Sequence, residues 1–261
     1  MALIKTPEEI KRLKRGGALL SDILRHVAQS CRVGTSTAEL DRMVRREMEK
    51  AGGEPSFLGY RISPDDPPYP CAVCISVNEE VVHGLAIPEH SFHDGDIVSL
   101  DLGMWYEGLA TDMATTVLIG DVRPEVRRLV ADTRDALVCG LKAVKAGAMV
   151  SDIGAAIEDR LLPGKYGIIR DLVGHGVGHE VHEEPQIPNY REPRAPRFRL
   201  EEGMVLAIEP MVALGSWKIR MKDDGWTIVT KDGSPAAHFE VTVAVTKKGY
   251  DLITPWPDRE S

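Results

Sequence analysis

Five side chains hold most of the chemistry this sequence offers: Asp101, Asp112, His175, Glu209 and Glu240. Four are carboxylates at the ends of apolar runs. Asp101 closes IVSLD, Asp112 comes just before ATTVLIG, Glu209 follows MVLAI and Glu240 precedes VTVAV. A carboxylate embedded in an apolar strand is costly unless it is paired, protonated or bound to a metal. Asp101 and Asp112 flank a turn expected at Tyr106-Glu107-Gly108, so they can meet on adjacent strands. His175 belongs to GHGVGHEVHE (174–183), where alternating glycines disfavour a helix and leave the backbone bare. HEVHE is therefore not the helical H-E-x-x-H of zinc proteases, and His175, between two glycines, is the best placed to coordinate. Four carboxylates and one imidazole balance two divalent cations. Mostly oxygen donors with one nitrogen suit Mn, Fe or Co, with Zn also admissible, and the sequence does not choose among them. Two such ions acidify a shared water and stabilise a tetrahedral intermediate, so the implied chemistry is hydrolysis.

The elements that must position these groups follow from pattern. Thr6, Pro7 and Glu9 form a capping-box start, and Ile10, Leu13, Leu20, Ile23, Leu24 and Val27 recur at helical spacing, which predicts a helix over 6–33. A second helix is expected over 37–50, a third from Pro124 to Gly147 and a fourth over 151–162. Strands are expected at 72–77, 80–85, 96–105 and 114–120, then near 168–173, 204–209, 226–230 and 240–246. The prolines of 61–70 demand a loop, and 183–197 and 231–235 also read as loops. The two halves can be superposed: DGDIVSLD (94–101) on EGMVLAIE (202–209) puts Asp101 on Glu209. The expectation is one α/β domain over 1–261, with related halves of about 1–120 and 121–261 and the site between them.

Composition sets the outer bounds. With 261 residues, 32 Lys+Arg against 40 Asp+Glu and a net charge of −8, the chain lacks the basic footprint of a nucleic-acid binder. No apolar run reaches membrane-spanning length, and the charge at Lys5 interrupts any secretory signal. Four cysteines are too few for a disulfide framework, so a cytoplasmic location is expected. Cys71-Ala72-Val73-Cys74 is a lone C-x-x-C without a second pair, and no P-loop or G-x-S-x-G elbow occurs.

An ordered series of blocks resembles the methionine aminopeptidases: KTPEEIKRLKRGG, YPCAVCISVNEEVVHG, DGDIVSLDLG, GHGVGHEVHEEP, EEGMVLAIEPM, KDDGWTIVTKDGS and HFEVTVAVT. The resemblance implies a pita-bread fold and two divalent ions. Asp112 and Glu240 would bridge the ions, Asp101 would serve one, and His175 with Glu209 the other. Glu209 would also shuttle the proton to the leaving amine, and His83 and His182 would contact the substrate and its intermediate. Phe57, Tyr60, Cys74 and Trp226 would line the methionine pocket, where sulfur and aromatic rings suit a thioether. Glu209 follows His175 by only 34 positions, which leaves no room for the long insertion of type 2 enzymes, so the chain looks like type 1. Three positions depart from the usual pattern: Thr111 where Gly is usual, His238 where Gln is common, and Val241 in place of His. Thr111-Asp112 and GHGVGHEVHE are also similar to X-Pro peptidases of the same fold, and a non-catalytic pita-bread binding protein is the remaining alternative. The implied substrates are nascent peptide N-termini, processed by a monomer. YREPRAPRFR (190–199) reads as a solvated loop and as the contact for a transient ribosome encounter; no DNA or membrane partner is expected.

Overall fold

Thr6 starts the first helix, α1 (Pro7–Ser30), as its capping box predicts: the Glu9 N–H donates to the Thr6 hydroxyl, and the Thr6 N–H donates to the Glu9 carboxylate. The computed structural model describes residues 3–61, 63–193 and 197–256. Ser36 caps α2 (Thr37–Lys50); α3 (Pro124–Ala143) and α4 (Val150–Leu161) follow in the second half. All four helices are where the periodicity puts them, with ends moved by a few residues.

Strands Ile97–Tyr106 and Leu109–Leu118 form a hairpin in continuous antiparallel register, from Ile97 opposite Leu118 to Tyr106 opposite Leu109. Its loop, Glu107-Gly108, has positive φ at both residues (48° and 76°), the two-residue geometry whose twist matches the flanking strands. Among the described residues this hairpin belongs to a nine-stranded sheet. Beyond Leu109–Leu118 come Glu240–Val245, Val205–Ile208, Gly174–Gly176 and Glu183–Ile187 in turn, while Glu54–Pro55 and Cys74–Val77 pair with Ile97–Tyr106 and Tyr250–Leu252 pairs with Glu240–Val245. Helix α1 packs on the hairpin and α3 lies against α4, so apolar side chains such as Leu100, Leu102, Leu129 and Ile157 are buried beneath them. Among the described residues there are also two three-stranded sheets: Ala236–His238, Met211–Ala213 and Gly167–Ile168, and Ile219–Met221, Ile228–Thr230 and Glu80–Val82.

Several boundaries differ from expectation. Leu109–Leu118 begins five residues before the apolar run ATTVLIG, because the hairpin register carries pairing through Asp112 down to the turn. The strand expected near 168–173 is only Gly167–Ile168. Segment 183–197, expected as loop, opens with strand Glu183–Ile187, which pairs with Gly174–Gly176. Three-residue strands such as Gly174–Gly176 and Ala236–His238 are too short to show a period of two in sequence. In YREPRAPRFR, residues 194–196 lie outside the described residues, as do Met1 and Ala2. Arg191 of that stretch pairs with Glu158 and Asp159, and Arg199 donates to the Gly147 carbonyl, so these two arginines are engaged with the chain itself.

Candidate active site

Register alone gathers the acids on one face. Asp101 is opposite Ala114 in the hairpin, and Ala114 is opposite Glu240 on the next strand. Val241 pairs with Ile208, and the Phe239 N–H reaches the Pro210 carbonyl at 3.4 Å, so Glu240 is opposite Glu209. Asp112 is opposite Gly103, two residues from Asp101 and therefore on the same face. His175 is opposite Ala207, two residues from Glu209, again on that face. By the same alternation Thr111 and Val241 point to the opposite face, away from the acids. One donor atom each of Asp112, His175 and Glu240 lie within 4.8 Å of one another, and so do those of Glu209, His238 and Glu240. Asp101 falls outside both groups but sits two residues along the same face from the Gly103–Asp112 pair.

The glycines of the histidine segment serve close approach. A Cβ on Gly176 would lie 2.1 Å from the Glu184 carbonyl oxygen, and one on Gly174 would lie 2.6 Å from that of Ala207. Only bare backbone lets this strand fit between its neighbours with the His175 ring turned to the acids. The His175 Nδ1–H donates to the Gly176 carbonyl at 2.9 Å, which leaves Nε2 with a free lone pair 3.4 Å from Glu209 Oε1. His83 directly follows strand Glu80–Val82, with a φ of 56°, and sits across from Trp226, ring centroids 6.5 Å apart. His182 lies 4.5 Å from His175, centroid to centroid, and its Nδ1 is 2.9 Å from the Tyr60 hydroxyl.

These groups share a cavity of about 470 Å³ that Phe57, Tyr60, Cys74, His83, His182 and Trp226 line together with all five expected ligands. Cys74 is opposite Asp101 in the sheet register, so the apolar end of the cavity adjoins the acids directly. Tyr69, Leu172 and Met211 also line it, and sequence reasoning did not single them out. Tyr69 is buried at the foot of the proline-rich loop, its hydroxyl on the Gly84 carbonyl at 2.8 Å, and stacks edge-on against Trp226.

The charge balance tests whether a metal fits. Burial first, and neighbouring negative charge second, push Asp112 and Glu240 well above the usual carboxylate range. Burial raises Glu209 to about 8 and Asp101 to about 6. No lysine or arginine pairs with these four acids among the described residues. Asp101 Oδ1 and Glu240 Oε1 are buried without a hydrogen-bond partner among the described residues. Burial also holds His175 at about 3 and His83 at about 4, so both rings are neutral and the histidines supply no compensating cation. A buried cluster of acids without a counter-charge is what divalent cations resolve, and the residues fit that group.

A family model for metallopeptidase family M24 matches residues 11–247. This chain belongs to metallopeptidase family M24. As an M24 metallopeptidase it uses a divalent metal, in agreement with the acid cluster. The chain is 42% identical over 247 residues to a methionine aminopeptidase of Aquifex aeolicus, covering 94% of this chain and 96% of the relative. A solved methionine aminopeptidase of Thermotoga maritima superposes with a TM-score of 0.91 at 42% identity, covering 96% of this chain and 98% of that one. A prolidase of Pyrococcus furiosus shares the fold, with a TM-score of 0.76 at 23% identity, and this chain spans 65% of its length. The M24 chain thus has the pita-bread fold.

Within this M24 site, one support lies outside the motif blocks' expected roles. Lys5, 2% exposed, pairs with Glu183, whose carboxylate also accepts the N–H groups of His179 and Glu180 at 2.5 and 3.0 Å. Glu9 of α1 in turn meets His179 at 2.8 Å. The N-terminal segment therefore ties down the loop that presents His182. Its signal was a lysine just before a capping box, which sequence alone cannot link to a glutamate 178 residues away.

Proposed function

We propose that this chain is a methionine aminopeptidase that removes the N-terminal methionine of nascent proteins when the second residue is small. The observation that carries the reading is the direct adjacency of Cys74 and Asp101, which sets an apolar, sulfur- and aromatic-lined pocket against the acid cluster. A thioether side chain seated among Phe57, Cys74 and Trp226 brings the bond that follows it to the carboxylates. Near-full-length similarity to methionine aminopeptidases supports the same conclusion.

Asp101, Asp112, His175, Glu209 and Glu240 hold two divalent ions in this reading, with Co, Mn, Fe and Zn all compatible with the donors. Such ions, when bound, acidify a water and polarise the scissile carbonyl. The remaining steps belong to the chain's own groups. Glu209 takes the proton of the attacking water on a carboxylate oxygen and delivers it to the departing amine. The Tyr60 hydroxyl lies 2.9 Å from His182 Nδ1 and orients the ring; with Tyr60 as the donor, the His182 proton resides on Nε2, where it would serve the oxygen of the reacting carbonyl. His83, held neutral by burial, is a second donor or acceptor at the cavity wall rather than a cation. Tyr69, Trp226 and Met211 supply the apolar wall beside the reacting centre. The enzyme acts as a monomer in the cytoplasm, with residues 190–199 as a transient ribosome contact. Asp112→Asn is expected to lose hydrolysis of a Met-Ala-Ser peptide by at least about a thousandfold, the scale of losing a principal electrostatic group. Retained turnover with metal present, or faster cleavage of an Ala-Pro peptide by the wild type, overturns the reading.

A further inference from the structure

We propose that His238 is an additional metal ligand, supplying an imidazole on the Glu209–Glu240 side of the site. The inference rests on the metallopeptidase reading and extends its donor set from five residues to six.

Strand Ala236–His238 pairs with Met211–Ala213, His238 opposite Met211, and this register leads directly into the Glu240–Glu209 pair. The backbone of His238 is pinned from both sides by one hydroxyl. Thr116 Oγ1 donates to the His238 carbonyl at 2.7 Å and accepts from the His238 N–H at 3.0 Å. Ser99 Oγ lies 2.8 Å from that same hydroxyl and completes the anchor on the hairpin. The ring is thus delivered to the acids by rigid strands. It is 1% exposed, and neither Nδ1 nor Nε2 has a hydrogen-bond partner among the described residues. Nε2 is 3.4 Å from Glu209 Oε2, and donor atoms of Glu209, His238 and Glu240 lie within 4.8 Å of one another.

A buried polar group left unsatisfied is costly, and evolution of a packed site rarely keeps an imidazole with two idle nitrogens. A neutral imidazole offers one nitrogen lone pair, and this ring faces the carboxylates of Glu209 and Glu240. That is the form in which histidine binds metals. Glu240 is common to both donor groups, which gives each group one imidazole: His175 with Asp112, and His238 with Glu209. A second nitrogen shifts the site's preference toward cations that favour imidazole, such as Co and Zn, relative to Mn, which oxygen donors suit.

The test loads the 15N-histidine-labelled protein with two equivalents of Co²⁺ and counts imidazoles with large contact shifts, which travel only through a metal–nitrogen bond. Two such histidines are expected in the wild type and one in His238→Gln. Calorimetry should show the affinity for one Co²⁺ equivalent falling at least about tenfold in His238→Gln, with a smaller loss for Mn²⁺. A single contact-shifted histidine in the fully loaded wild type overturns the proposal, and that measurement stands even if the variant does not fold. Unchanged Co²⁺ affinity in a folded variant overturns it as well. Failure of the wild type to bind Co²⁺ at all would instead refute the metallopeptidase reading on which this one rests.

Discussion

Removing the metal should turn Glu209 into a pH-dependent liability, and the size of the effect can be worked from its surroundings. Burial raises its carboxyl from 4.5 to about 8. The unfolded chain therefore releases this proton near 4.5, whereas the folded metal-free protein keeps it until about 8. Between those values the native state binds more protons than the unfolded state, so stability falls as pH rises. At about 1.4 kcal/mol per pH unit, the cost is roughly 1 kcal/mol at pH 5.5 and roughly 4 kcal/mol at pH 8. Glu209→Gln keeps the shape and removes the titration. In chelator-treated protein, the variant should gain about 3 kcal/mol more over wild type at pH 8 than at pH 5.5. For a chain of this size that is a Tm difference of about 6–12 °C. Comparing the two proteins at each pH cancels the opposite contribution of His175 and His83. Their lowered values cost stability as pH falls below 6.5. Saturating divalent metal should remove the slope in the wild type, because the ion stabilises the carboxylate. Parallel Tm profiles for metal-free wild type and variant across this range would refute the account of an uncompensated buried acid.

Two further perturbations separate backbone fit from charge. Gly176→Ala places a methyl 2.1 Å from the Glu184 carbonyl, a backbone atom that cannot rotate away, so one strand must shift. A loss of about 1–3 kcal/mol by chemical denaturation, with weaker metal binding as His175 moves, is expected, and native stability would contradict the packing argument. Lys5→Met leaves the Glu183 carboxylate buried without its cation, at a cost of about 3 kcal/mol that Lys5→Met with Glu183→Gln should partly recover. The single variant should also raise KM for a Met-Ala-Ser peptide, since the loop bearing His182 loses its tether; an unchanged KM would show that the tether serves stability alone.

Much of the site was legible because its signals are local. A carboxylate at the end of an apolar run is anomalous in any fold, and Asp101, Asp112, Glu209 and Glu240 each show that anomaly within a few residues. The helices were legible for the same reason: a capping box and a repeat of three to four residues are short-range patterns, and α1 and α2 fall where those patterns place them. The three-residue strands were not legible, since their existence depends on partners far along the chain. His238 stood out only as an unusual residue near Glu240; its position 3.4 Å from Glu209 comes from pairing with Met211 and from the Thr116 anchor.

Residue chemistry, and with it the need for a cation among the acids, was determined by the sequence alone, because an ionised group in an apolar run costs free energy wherever it is buried. Which acids meet was decided by tertiary structure. Antiparallel register sets Asp101, Ala114, Glu240 and Glu209 in one row and puts Asp112 and His175 a step away on the same face. Register is a property of paired strands, fixed by hairpin geometry and by which face is buried, and a shift of one residue would turn every one of these side chains to the other side of the sheet.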